Sequence, residues 1–271
     1  MKRAVCALAA TLLAAVAVPA AALAADVKIG VTASPVIAPT CPANAQGSAC
    51  TIVLAQMTAY ETLRDGVVNP DTVKHSGVIS SFTLGLAGTN LITPPVLARL
   101  DQTYGGPPEA QLTALIPTGT AASPSFRVAA QSEVVKLRGQ LGQVAEFPLT
   151  TPLPVVRGEM LALTIPTWAP VLSIEQNTTK FSYAQSRAKQ IVAVKSGSTT
   201  KRVSSCNTNS TINLAQIVIG ELSHYTCSYA GTRIEYSALE ITTPAGFTNQ
   251  ARARLVAKLR ASAERHYAAN R

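Results

Sequence analysis

The sequence is poor in the side chains that most enzyme chemistry uses. Its 271 residues include three histidines, one tryptophan, 14% charged residues and 5% aromatics. His75, His224 and His266 lie far apart, so no two of them form a local metal or proton-transfer pair. There is no G-x-S-x-G elbow, H-E-x-x-H pair, C-x-x-C pair or phosphate-binding glycine loop. These absences remove the local signatures of serine-elbow hydrolases, zincins, zinc ribbons and P-loop nucleotidases. Beyond the first 25 residues no apolar run is long enough to span a bilayer. No long apolar 3.6-residue period appears before residue 246, which excludes a βαβ fold.

The N-terminus carries the clearest positive signal. Lys2 and Arg3 precede a run over residues 4–18 that is apolar apart from Thr11, and Ala22-Leu23-Ala24 supplies small residues for a signal peptidase. We expect a signal peptide over residues 1–25, cleaved after Ala24 or Ala25; an uncleaved anchor over residues 4–25 is the alternative. Export without a twin-arginine pair points to the general secretory route. The expected location is therefore secreted, extracellular or associated with the cell envelope.

Export changes how the cysteines are read. Cys6 leaves with the leader, and an even set remains: Cys41, Cys50, Cys206 and Cys227. Four cysteines allow three pairings. The loop composition between Cys41 and Cys50, and the single strand-like run between Cys206 and Cys227, favour the two local pairs. A zinc site is the alternative, though the histidines are distant in sequence.

Short alternating apolar runs separated by Pro, Gly, Ser and Thr fill most of the remaining chain. Val78, Phe82, Leu84 and Leu86 share one face of a strand, as do Leu112, Ala114 and Ile116, and likewise Leu161, Leu163 and Ile165. Tyr225, Cys227 and Tyr229 form another such set, and Ile234, Tyr236 and Ala238 a further one. More strands are expected over 51–57, 96–101, 126–130, 134–137, 180–183, 190–195 and 212–219. About a dozen strands without helices call for an all-β, two-sheet antiparallel β-sandwich. The expected organisation is an extended lead with a disulfide loop over 26–50, the sandwich over 51–245 and a basic amphipathic helix over 246–271.

The last segment differs in charge as well as in period. Thr248 or Asn249 can cap a helix, and Ala251, Leu255, Val256 and Leu259 make a narrow apolar stripe. The stretch from residue 248 carries +5, whereas the whole chain carries +9, so the basic excess is concentrated at the end. Arg252, Arg254, Lys258, Arg260 and Arg265 are candidate contacts to an anionic envelope polymer or lipid surface. The simpler alternative packs the stripe on the sandwich edge and leaves the charges in water.

Elsewhere the candidate chemistry is thin. Asp65, Asp71 and His75 form the densest polar set and raise the question of a metal, but Asp65-Gly66 and Asn69-Pro70-Asp71 also read as turns. Glu159 reads as a turn leading into the Leu161 strand. Trp168, between Pro166 and Pro170, reads as a core plug in preference to a sugar platform. Tyr225-Thr226-Cys227 resembles a tyrosine corner, although the cysteine spacing is wrong for an immunoglobulin domain. We expect no catalytic residue, cofactor or metal to be assignable from local sequence.

Several short motifs recur in one order: Cys50-Thr51, Ser76-Gly77-Val78-Ile79, Val155-Val156-Arg157-Gly158-Glu159, Tyr225-Thr226-Cys227-Ser228-Tyr229 and Arg233-Ile234-Glu235-Tyr236-Ser237-Ala238. Over residues 41–243 the chain resembles a group of uncharacterised secreted actinobacterial β-sandwich proteins. Where those have a tryptophan in the first long strand, this chain has Phe82. The resemblance implies a jelly-roll-like sandwich and brings no activity with it. The functional expectation is a secreted, non-catalytic module that binds an envelope component or extracellular partner. The alternatives are a carbohydrate-active enzyme with carboxylates on a concave sheet face, and a structural surface protein.

Overall fold

The computed structural model describes residues 24–43, 50, 52–196, 199–206 and 214–242. Nearly all of the leader expected over 1–25 lies outside the described residues. So does the basic helix expected over 246–271, with Arg252, Arg254, Lys258, Arg260 and Arg265.

The described chain is mostly β. In order the elements are β1 (Asp26–Ile29), β2 (Leu54–Arg64), β3 (Val67–Val68), β4 (Gly77–Gly85), helix α1 (Pro94–Tyr104), β5 (Glu109–Pro117), β6 (Ser125–Gln131) and β7 (Val135–Lys136). They continue as β8 (Val144–Val155), β9 (Met160–Ala169), β10 (Leu172–Ser173), β11 (Ser182–Gln185), β12 (Gln190–Ser196) and β13 (Thr199–Ser205). The last four are β14 (Leu222–His224), β15 (Cys227–Ala230), β16 (Arg233–Ile234) and β17 (Tyr236–Thr242).

A four-stranded sheet has the order β1-β17-β4-β8, and a larger, curled sheet contains β14-β6-β5-β9-β2-β11-β15. The ladders within both are antiparallel. Ile79, Phe82, Leu84, Tyr236 and Ala238 of the smaller sheet join Leu112, Ala114, Leu161, Leu163 and Ile165 of the larger one in a single buried cluster. Strands β5 and β9 are buried on both faces, because Leu115, Met160 and Ala162 point away from that cluster into a second one with Tyr60, Phe126 and Tyr225. Burial on both faces explains their nearly continuous apolar sequences. It also gives the larger sheet an outer face able to carry a site.

The tip of the β2–β3 hairpin is Asp65-Gly66, and both residues have positive φ, 52° and 81°. Two left-handed residues make the tight turn whose twist suits a hairpin, which is why an Asp-Gly pair stands there. Disulfides join Cys41 to Cys50 and Cys206 to Cys227, with Cα separations of 5.7 and 5.6 Å. The second fastens the end of β13 to the edge strand β15.

Two expected strands are replaced by other structure. Residues 96–101 lie within helix α1, begun by Pro94-Pro95 and closed by Gly105 at φ 79°. Val96, Leu97, Leu100 and Tyr104 pack around buried Trp168, a helical spacing that a six-residue window cannot separate from alternation. In the expected strand 212–219, the described residues from Leu214 onward form one isolated bridge, between Leu214 and Met57. The segment instead crosses the outer sheet face, with the Gln216 amide donating to Thr58 Oγ1 at 2.9 Å. Smaller shifts occur at β7, two residues long, and at β11, which starts at Ser182.

Candidate functional site

An open cleft of about 960 Å³ lies on the outer face of the larger sheet. That volume is near the top of the roughly 300–1,000 Å³ range usual for small-ligand sites. Its floor comes from strands of one sheet: Tyr60 of β2, Phe126 of β6, Met160 of β9 and Ala184 of β11, joined by Tyr225. The three rings meet at centroid distances of 5.1 to 5.6 Å, with both Phe126 contacts edge to face. Each ring is nearly covered, so the floor is a packed aromatic surface with no free ring face.

The floor is also electrically neutral. Burial, then the nearby charge of Asp71, pushes the Tyr60 phenol up to about 12. Burial likewise raises Tyr225, whose hydroxyl donates to Gln216 Oε1. The rim is made of Asn69, Thr120, Thr226 and Ser228, with aliphatic lips at Val68 and Ile191 that are 68% and 74% exposed. Among the described residues that line the cleft, Lys189 is the only charged one, and none is an acid, a histidine or a cysteine.

The acids converge elsewhere, between the sheets. Arg64 is fully buried, and its guanidinium donates to the carbonyls of Gly30, Tyr236 and Ile234 and to Glu61. Asp71 accepts from the Glu61 amide at 2.8 Å and from the Tyr236 hydroxyl. Beside them Glu235 accepts from Ser173 at 2.6 Å and from the Ile37 amide at 3.1 Å, and pairs with Arg233. Burial pushes Glu61 up to about 8 against the pull of Arg64, and it raises Asp71 and Glu235 as well. Buried and bonded to one another and to backbone, these groups act as an internal tie between the lead segment, β2 and the β16–β17 region.

Neither Arg64 nor Glu61 stood out in the sequence, and the reason is a bulge. Tyr183 pairs with Glu61 while Ser182 pairs with Leu63, so Thr62 is an extra residue in β2. The insertion reverses the alternation and lets Glu61 and Arg64 reach the same interior cluster. Gly30 completes the cluster at φ 74°, where a Cβ would come within 2.8 Å of Asp71 Oδ1. A glycine so placed is recognisable only after folding.

The three residues that raised the question of a metal are not brought together. Asp65 accepts from Thr32, from the Ser34 hydroxyl and from the Ser34 amide at 2.6 to 2.8 Å, which holds its carboxyl below the usual range despite some burial. Asp71 is buried in the network and His75 is exposed. Among the described residues no group of three His, Cys, Asp or Glu is placed to hold a metal ion. Trp168 is fully buried in β9 and donates to Asp101 Oδ1 and the Gly106 carbonyl, both at 3.1 Å. Glu159 accepts from the Val156 amide at 2.9 Å in the turn before β9. Tyr225 bonds to a side chain, where a tyrosine corner would bond to backbone. Comparison with family models, with curated proteins and with solved structures finds no match for this chain.

Proposed function

We propose that this chain is a secreted, non-catalytic two-sheet β-sandwich of jelly-roll-like build that binds an envelope component or extracellular partner through the outer cleft. The observation that carries this reading is the division of chemistry between the two faces of β2. Tyr60 contributes to an open cleft without an acid, whereas the neighbouring Glu61 belongs to the buried ionic network. A glycosidase requires two carboxyl groups flanking an accessible scissile bond. The acids of the network are sealed from water and engaged by backbone and arginine donors, which favours a binding role over hydrolysis.

Export is supported by two disulfides, which persist in oxidising compartments. No helix among the described residues is long and apolar enough to cross a membrane. Contact of Arg252, Arg254, Lys258, Arg260 and Arg265 with anionic polymer or lipid belongs to the same proposal as a second, independent contact.

The test is retention of the mature protein on cell-envelope fractions, with Thr120→Trp to block the cleft and with residues 248–271 deleted. Thr120 is exposed in the β5–β6 loop, so a larger side chain there leaves the core alone. Retention lost in T120W supports the cleft as the binding surface. Retention undiminished when T120W is combined with deletion of residues 248–271, or release of soluble sugars from the fraction, overturns the reading.

A further inference from the structure

The lining of the cleft defines a class of ligand. Building on the proposal that the cleft is the binding surface, we infer that it takes a single-chain amphiphile, an aliphatic tail ending in one anionic headgroup.

The first argument is the chemistry of the exposed apolar groups. Val68 and Ile191 at the lips stand largely in water, and Met160 and Ala184 lie between them on the floor. An alkyl chain laid across the cleft covers the exposed surface of Val68 and Ile191, a gain proportional to the apolar area covered, while Met160 and Ala184, already buried, offer it an apolar floor without polar groups to desolvate. Sugar rings would need open aromatic faces for stacking. Tyr60, Phe126 and Tyr225 are 4%, 6% and 1% exposed and spend their faces and edges on one another.

The second argument is charge. Lys189 is the only charged residue among the described lining residues, and the phenols of Tyr60 and Tyr225 are held neutral by burial. A cation with no acid in the same cleft attracts an anion and repels an alkylammonium. Thr226 lies beside Lys189, whose amide donates to Thr226 Oγ1 at 2.8 Å, and Ser228 lines the same cleft. Their hydroxyls supply further donors to a carboxylate or phosphate headgroup.

Calorimetric titration of the mature protein with octanoate, decanoate and dodecanoate, each below its micelle concentration, tests the inference. Saturable binding of one chain per protein is expected, tightening roughly tenfold for each two methylenes added. Lys189→Glu should weaken dodecanoate about tenfold and reverse the preference between dodecanoate and dodecyltrimethylammonium. Ile191→Asp should weaken every chain length. Both positions are exposed, so neither variant threatens folding. Binding that ignores chain length, or that favours the two headgroups equally and is unchanged in K189E, overturns the inference. Failure of all alkyl probes, with envelope retention still lost in T120W, removes the ligand class and leaves the cleft reading standing. Retention that survives T120W in the protein lacking residues 248–271 removes both.

Discussion

Arg64 and Glu61 form an ion pair at 3.3 Å with neither side chain exposed to solvent. The pair is three residues apart on one strand, a spacing that strict alternation would send to opposite faces. The bulge at Thr62 is what brings them to the same cluster, and the remaining guanidinium donors then reach three backbone carbonyls. Arg64 thus links Gly30 of the lead segment to Ile234 and Tyr236 near the end of the chain.

Removing the guanidinium should therefore cost far more than the pair itself contributes. Arg64→Met leaves Glu61 and Asp71 buried without their cation and three carbonyls without donors. Breaking a buried pair by deleting one partner typically costs about 3–5 kcal/mol. Arg64→Lys should recover little, because one ammonium cannot serve three carbonyls and Glu61 in a fixed fork. Urea unfolding of the two variants checks this, and a loss below about 1 kcal/mol in R64M would contradict the structural role.

The buried acids also set how stability depends on pH. Glu240 is fully buried on β17 with neither carboxylate oxygen partnered among the described residues, and burial alone pushes its pKa up to about 7. An unfolded carboxyl loses its proton near 4.5, so between that value and about 7 the folded chain holds a proton on Glu240 that the unfolded chain has released. Folding is favoured by protons in this window, and stability should fall as pH rises through it. The urea midpoint is expected to be higher at pH 5 than at pH 8. Glu240→Gln should flatten part of that slope, and an unchanged slope would remove Glu240 as a contributor.

Much of the architecture was readable because it rests on short-range rules. Leu161, Leu163 and Ile165 alternate and are buried together, and Asp65-Gly66 turns the hairpin its composition suits. What escaped depends on contacts between distant segments. Helix α1 is stabilised by Trp168, more than 60 residues later, and the segment after Leu214 is held on the sheet by Gln216 and Thr58. The cleft was equally hidden, since its floor combines residues from four strands and Tyr225, each of which reads in isolation as ordinary core.

The two disulfides should differ modestly in what they contribute. Cys41–Cys50 closes a separation of 9 residues and Cys206–Cys227 one of 21. Loop-closure entropy gives roughly 2.6 kcal/mol for the shorter loop and roughly 3.3 kcal/mol for the longer. Paired Cys→Ser variants of each, compared by urea unfolding, should follow that order. The Cys206 pair should also loosen β15, where Ser228 and neighbouring Thr226 line the cleft. Dodecanoate binding should weaken in that variant and persist in the Cys41–Cys50 one, and the reverse pattern would detach β15 from the cleft's integrity.

Beneath the cleft a chain of hydroxyls crosses three strands. Thr164 Oγ1 lies 2.8 Å from Thr58 Oγ1 and 2.6 Å from Thr113 Oγ1, and all three residues are fully buried. Thr58 Oγ1 also accepts the Gln216 amide at 2.9 Å, and Gln216 in turn accepts from Tyr225 on the cleft floor. Thr164→Val keeps the shape of the central residue and removes its hydroxyl, leaving Thr58 and Thr113 each short of a buried partner. The cost should be about 1–3 kcal/mol. Thr113→Val should cost less at the cleft, because Thr113 lies on the side of Thr164 remote from Gln216. If the chain positions Tyr225, T164V should also weaken alkyl-chain binding while T113V leaves it nearly unchanged. Equal effects of the two on binding would show that the hydroxyls stabilise the sheet without setting the floor above it.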